Sequence, residues 1–187
     1  MIILHLIRHA QQAWDRVTPD AEWALTPLGR EQAEVLAEEL INLRPDSLWC
    51  SETLRAFQTI QPFAERSGLR VNRHRDLGER RLAWPLPPTD EMLEHYRRGW
   101  QDLDYALPNG ESNREGQVRF MAALRFVVEK ESREGPDRSV VVCAHGNVIA
   151  LAEHAATGSF GNVSLDYCEK RTFTLRADGW NLLSGPA

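Results

Sequence analysis

Two segments of this chain, Ile2 to Ile7 and Ser139 to Ala144, are short apolar runs rich in β-branched residues, and each is followed at once by a polar stretch bearing a histidine. A strand with one wet face alternates polar and apolar residues, whereas an unbroken apolar run reads as a strand covered on both faces. Arg8 and His9 follow the first run. His145-Gly146-Asn147 follows the second and leads into Val148 to Ala156, an apolar stretch that reads as a helix. Both histidines are therefore placed at the C-terminal ends of buried strands.

The segments between them alternate in kind. Thr26-Pro27 is an N-cap and first helical residue, and Leu28, Leu36, Leu40 and Leu43 recur at helical spacing up to Arg44-Pro45. Ser47 to Cys50 is a second strand candidate, and Ser51 can cap a helix through Leu54, Phe57 and Ile60 towards Gly68, with Arg55 in its first turn and a possible kink at Pro62. Residues 78–109 change character: Pro85, Pro87, Pro88 and Pro108 interleave with Trp84, Tyr96, Trp100 and Tyr105, and Thr89 to Gln101 is a short helix candidate. Ser112 to Glu115 forms a capping box ahead of Val118, Met121, Leu124 and Val128, the apolar face expected of a long helix. Thr172 to Arg176, the turn Ala177-Asp178-Gly179 and Trp180 to Leu183 read as an antiparallel hairpin.

This pattern predicts an α/β fold, a three-layer α/β/α sandwich on a mainly parallel sheet, with an antiparallel edge hairpin at the C-terminus. Residues 1–187 are expected to form a single domain, with a lid or insertion at about 80–109. Ligands of such sheets bind beyond the C-terminal strand ends, the side that receives Arg8, His9, Arg55 and His145.

A formal net charge of -5 speaks against nucleic acid or an anionic membrane as partner. No apolar run approaches the roughly 18 residues that span a bilayer, and MIILHLIRHA is not a signal-peptide pattern, so a cytoplasmic location is expected. Cys50, Cys143 and Cys168 are widely spaced and odd in number, which points to reduced thiols. His5, His74, His95 and His154 lack the spacing of a metal site, so neither metal nor other cofactor is expected. The oligomeric state is not legible, because the chain has no heptad seam.

Arg8, His9, Arg55 and His145 together match the needs of phosphoryl transfer. A neutral imidazole attacks phosphorus when one ring nitrogen is bare and the other is held by a hydrogen bond; His9 is the candidate nucleophile. Arg8 and Arg55 can grip phosphoryl oxygens bidentately, with His145 as a further donor. A carboxylate beside the leaving group would protonate the departing oxygen and then deprotonate water. Glu79 is the leading candidate for that role, with Glu111 and Glu91 as rivals.

In order along the chain, Leu6 to Ala10, Leu25 to Gly29, Cys50-Ser51 with Arg55 to Thr59, Leu77 to Glu79, Gly110 to Ser112 and Val142 to Gly146 resemble the histidine phosphatase superfamily, also called the phosphoglycerate mutase-like family. The resemblance implies that fold, a phosphate pocket of Arg8, His9, Arg55 and His145, phosphorylation of His9, Glu79 as proton donor, and no metal. Three features depart from the family's commonest first motif: Ala10 replaces a glycine, Gln11-Gln12 stand where glutamate and threonine are common, and Asp15 stands where many relatives carry a phosphate-binding asparagine. An ionised Asp15 in the pocket would repel phosphate, unless it turns away and Gln12 supplies the donor. The expected function is a phosphatase acting on a small phosphorylated metabolite. A phosphoglycerate mutase and a non-catalytic phosphate-binding protein are the alternatives.

Overall fold

A computed structural model describes residues 1–83, 88–160, 163–176 and 179–184. One six-stranded sheet runs through the molecule in the order β3-β2-β4-β1-β5-β6. Its strands are β1 (Ile2–Arg8), β2 (Ser47–Cys50), β3 (Val71–Arg73), β4 (Arg138–Ala144), β5 (Lys170–Arg176) and β6 (Gly179–Ser184). The helices are α1 (Pro27–Leu43), α2 (Leu54–Ser67), α3 (Thr89–Gln101), α4 (Asn113–Glu134) and α5 (Gly146–Thr157). β1 to β4 are mutually parallel, and β5 and β6 form the expected antiparallel pair at one edge. The predicted turn residues Ala177 and Asp178 lie outside the described residues, as do Trp84, Pro85 and Pro87.

The unbroken apolar runs explain the three layers. Along β4, Val140 and Val142 face a core built with Phe120, Leu124 and Val127 of α4 and Val148 and Ile149 of α5. Val141 and Cys143 face the opposite core, with Leu36 and Leu40 of α1 and Ile60 and Phe63 of α2. β1 does the same, placing Leu4 and Leu6 on one side and Ile7 on the other. Among the described residues, no helix is long and apolar enough to cross a membrane.

The register brings the ends of β1, β4 and β2 level. Arg8 pairs with Ala144, and Cys143 with Cys50. The His9 N–H then donates to the Ala144 carbonyl at 3.0 Å, and the Ser51 N–H to that of Cys143 at 3.2 Å. Three chain segments thus leave the sheet side by side.

Several local expectations shift. Thr26 caps α1 through the Gly29 N–H at 2.9 Å, as its sequence position predicts, but Leu28 is 49% exposed and the buried face is Ala33, Leu36, Ala37 and Leu40. Leu28 occupies the first turn, short of the sheet. In α4 both halves of the Ser112 and Glu115 capping box form, yet Val118 is 65% exposed, because the inward stripe is Phe120, Ala123, Leu124 and Val127. Ser51 does not cap α2; Thr53 occupies the N-cap position, and the helix runs on through Pro62. β3 was not anticipated, being a three-residue edge strand with too few residues to show a period.

Candidate active site

His9 lies at the end of β1, 4% exposed, with its Nδ1 2.8 Å from the Ala10 carbonyl oxygen. A carbonyl only accepts, so Nδ1 carries the proton. The bare Nε2 accepts from Nε of Arg55 at 3.3 Å. Burial, followed by the charges of Arg55 and Arg8, holds the imidazole down to about 3, against the Ala10 bond that favours the charged form. His9 is thus a neutral ring with a defined tautomer and one lone pair at Nε2.

Arg55 rises from the first turn of α2, almost wholly buried. Its Nη2 donates to Nδ1 of His145 at 3.3 Å, and its other donors reach the backbone carbonyl and carboxylate of Asp20. His145, the N-cap of α5, is 0% exposed, and its ring meets that of His9 edge-on at 5.0 Å between centroids. Because Arg55 only donates, Nδ1 of His145 is the acceptor and Nε2 carries the proton, which meets Ser51 Oγ at 2.9 Å. Burial and then the neighbouring Arg55 keep this ring neutral as well. Arg8 lies with its guanidinium 4.2 Å over the Tyr167 ring and one nitrogen donating to the Leu165 carbonyl.

Glu79 follows a 3-10 turn at Arg75–Leu77 and reaches the N-terminus of α5. Its Oε2 accepts from the Asn147 N–H at 3.1 Å, and its Oε1 from those of Val148 at 3.3 Å and Arg80 at 2.8 Å. Burial raises the carboxyl above the ordinary glutamate range, and the N–H groups of Arg80 and Asn147 and the charges of Arg80 and Arg55 only partly offset it. A carboxyl raised in this way holds its proton nearer neutrality, as a general acid must.

These side chains frame a cavity of about 220 Å³, whose lining includes Arg8, His9, Gln12, Arg55, Glu79 and Asn147. Three of the buried polar atoms that lack a protein partner, Arg8 Nε, Gln12 Oε1 and Asn147 Oδ1, belong to that lining. Buried polar groups are normally satisfied, so three such atoms around one small cavity mark a site for a polar ligand. A neighbouring cavity of about 510 Å³ shares Trp23, Arg55 and Glu79 with it.

The remaining sequence candidates separate clearly. Gln12 is at the cavity and Asp15 is outside it. Asp15 is exposed, its carboxylate folded back onto the N–H groups of Val17 at 2.8 Å and Thr18 at 2.6 Å, which hold it below the usual carboxylate range. This local turn corrects the placement of Asp15 beside phosphate, because the short Asp side chain bonds the backbone two and three residues on. His145 lies beneath Arg55 and outside the cavity lining. Glu91 is exposed on α3, and both Glu111 oxygens are engaged by Arg119. Sequence reasoning missed Trp23 and Asn147 as lining residues; Asn147, two positions after a strand-end histidine, was the more legible of the two. Tyr96, from the aromatic and Pro-rich segment, is also in the lining.

A family model for the histidine phosphatase superfamily, branch 1, matches residues 4–185. The chain belongs to that superfamily. Among its superfamily relatives, a glucosyl-3-phosphoglycerate phosphatase from Mycobacterium tuberculosis is 31% identical over 183 residues, covering 86% of this chain and 82% of its own. A 2,3-bisphosphoglycerate-dependent phosphoglycerate mutase from Gloeobacter violaceus is 26% identical over 199 residues, covering 96% and 88% respectively. The solved structure of a mycobacterial glucosyl-3-phosphoglycerate phosphatase with inorganic phosphate superposes with a TM-score of 0.80 at 27% identity, covering 99% of this chain and 97% of that one. The superfamily fold accounts for the mixed sheet and its antiparallel edge.

Proposed function

We propose that this protein is a cytoplasmic phosphatase that hydrolyses a small phosphomonoester by two in-line displacements at His9, through a phosphohistidine. The observation that carries this reading is the polarity around His9: Nδ1–H is tied to the Ala10 carbonyl, and the unprotonated Nε2, which accepts from Arg55 Nε, belongs to a ring that lines the cavity. Nε2 attacks phosphorus as the ester P–O bond breaks, and the protonated Glu79 gives its proton to the leaving oxygen. Water then attacks the phosphohistidine while the Glu79 carboxylate takes a proton from it, releasing inorganic phosphate and restoring His9. Arg8 and Arg55 neutralise the transferring oxygens. An incoming phosphoryl oxygen competes for the N–H that Arg55 gives His145, and reversal of the Ser51 hydrogen bond would turn Nδ1 of His145 into a donor. Gln12 provides a side-chain amide at the same cavity.

The name of the M. tuberculosis relative supports a phosphorylated small metabolite as substrate and hydrolysis as the reaction. The larger neighbouring cavity would house the leaving group, with residues 80–109 as the covering segment, since Tyr96 of α3 reaches the pocket. The similarity to a mutase favours one second reading, in which the phosphoryl group returns to a phosphoglycerate.

The test is a panel of phosphorylated metabolites, assayed for phosphate release and for mutase activity with phosphoglycerates, beside rapid-quench trapping of phosphate on the protein. Phosphate release with an acid-labile, alkali-stable phosphoprotein that vanishes in His9→Ala is the expected result. Phosphoglycerate isomerisation without release supports the mutase, and ligand binding without either reaction supports a non-catalytic protein.

A further inference from the structure

The loop carrying Glu79 lies beyond the 3-10 turn at Arg75–Leu77 and belongs to no strand or helix, so no ladder fixes where its carboxyl points. Backbone groups in such a segment need partners from elsewhere. A single side chain binds three of the carbonyls. Arg119 of α4 donates Nη1 to the carbonyls of Asp76 at 2.7 Å and Gly78 at 3.1 Å, and Nη2 to that of Glu79 at 3.1 Å. Its other bonds close a bidentate pair on Glu111, Nε to Oε1 and Nη2 to Oε2, both at 2.8 Å. A guanidinium has five N–H donors in one plane, and all of them are engaged here.

Glu111 completes the grip from the other side. Its Oε2 accepts the Arg81 N–H at 3.0 Å, its backbone N–H donates to the Arg81 carbonyl at 2.8 Å, and its carbonyl accepts from Arg80 Nη1 at 3.1 Å. Residues on both flanks of Glu79 thus hang from one largely buried ion pair, between Glu111 just ahead of the α4 cap and Arg119 on the helix. The bonds from Arg119 and Arg81 outweigh the burial of Glu111 and hold its carboxyl below the ordinary range. It stays charged and bound.

We propose that Arg119 and Glu111 are positioning residues that hold the Glu79 carboxyl between the phosphate cavity and the N-terminus of α5. This rests on the reading of Glu79 as proton donor. Neither Arg119 nor Glu111 lines the cavity, and the pair reaches it only through the backbone of the loop that carries Glu79.

The test uses Arg119→Lys, which keeps the charge and loses the planar fork, and Glu111→Gln, which keeps the shape and one acceptor. Melting temperature reports folding, and a ¹³C-carboxyl NMR titration, assigned with Glu79→Gln, reports Glu79 itself. Turnover is compared between an alkyl phosphomonoester and 4-nitrophenyl phosphate, whose leaving group departs without a proton. In folded variants kcat/KM, which reports the first displacement, is expected to fall about 100-fold on the alkyl ester and to stay nearly unchanged on 4-nitrophenyl phosphate, and the Glu79 midpoint drops towards an ordinary carboxylate. Equal losses on both substrates with an unmoved Glu79 titration overturn the proposal. If Arg119→Lys does not fold, Glu111→Gln carries the same readouts. A parent protein that hydrolyses no ester refutes the phosphatase reading, while the Glu79 titration still decides for or against the clamp.

Discussion

Ser51 Oγ lies 2.9 Å from Nε2 of His145, with both residues fully buried. Ser51 also meets the Thr53 hydroxyl at 2.9 Å, so two hydroxyls in series can serve Nε2 of the histidine beneath Arg55 as acceptor or as donor. Ser51→Ala strands a ring nitrogen in the interior. A buried group left unpaired costs about 1–3 kcal/mol, so urea unfolding should show a loss of that size. Inhibition by inorganic phosphate should weaken in parallel, because the ring loses its route to becoming a donor. Wild-type phosphate inhibition in a destabilised variant would separate the two effects and sink the tautomer argument.

The raised Glu79 carboxyl predicts the shape of the pH profile. Its acid form is needed for the first displacement, so kcat/KM on an alkyl phosphomonoester should decline as pH rises past its titration. Glu79→Gln should abolish that decline and lower the rate by about 10²- to 10⁴-fold. Persistence of the alkaline limb in the glutamine variant would assign it to another group.

Stability should weaken in mild acid for a reason separate from catalysis. Burial, aided by Lys170, holds His5 down to about 4, and burial with Arg55 holds His9 to about 3. Free histidines in the unfolded chain take up protons near 6.5, and the folded rings do not. The unfolded state therefore binds more protons between about pH 6.5 and these lower values, and stability falls as pH falls through that window. Each unit of pH across which the states differ by one proton costs about 1.4 kcal/mol. Thermal melts from pH 7 to 4 should show the slope, and His5→Gln should flatten it. An unchanged slope in that variant would remove His5 from the account.

Gly29 has no room for a side chain. A Cβ there would stand 2.0 Å from the Gln11 carbonyl oxygen, which accepts the Thr26 N–H at 3.0 Å. Gly29→Ala must displace the segment leading from His9 to Gln12, and overpacking of this kind costs about 1–3 kcal/mol. Denaturant midpoints should fall by that amount, with phosphate affinity falling as Gln12 moves.

The gathering of Arg8, His9 and His145 was legible because a buried strand announces itself by an apolar run and fixes where its end lies. Arg8, His9 and His145 could be placed on one edge for that reason alone. Arg55 followed from its helix, although the capping residue was misassigned: Ser51 and Thr53 both qualify by type, and only the fold shows that Ser51 is claimed by His145. Helix faces were read less well, since Leu28 is half exposed in the first turn of α1 and Val118 lies on the far side of α4 from the stripe that packs inward. The turning away of Asp15 depends on a hydrogen-bond choice between its own backbone and a distant pocket, which spacing does not encode. The five-donor engagement of Arg119 joins residues 40 and more positions apart, beyond any local pattern.

The neighbours of β1 in the sheet are β4 and β5, which begin at Arg138 and Lys170. As the chain emerges during synthesis, the strand that delivers Arg8 and His9 has nothing to pair with until most of the sequence has been made. Closing such long loops is entropically slow, and an unpaired apolar strand invites association with other chains. Nascent copies arrested before residue 138 would accordingly depend on holdase chaperones, and His9 would be one of the last groups to find its place.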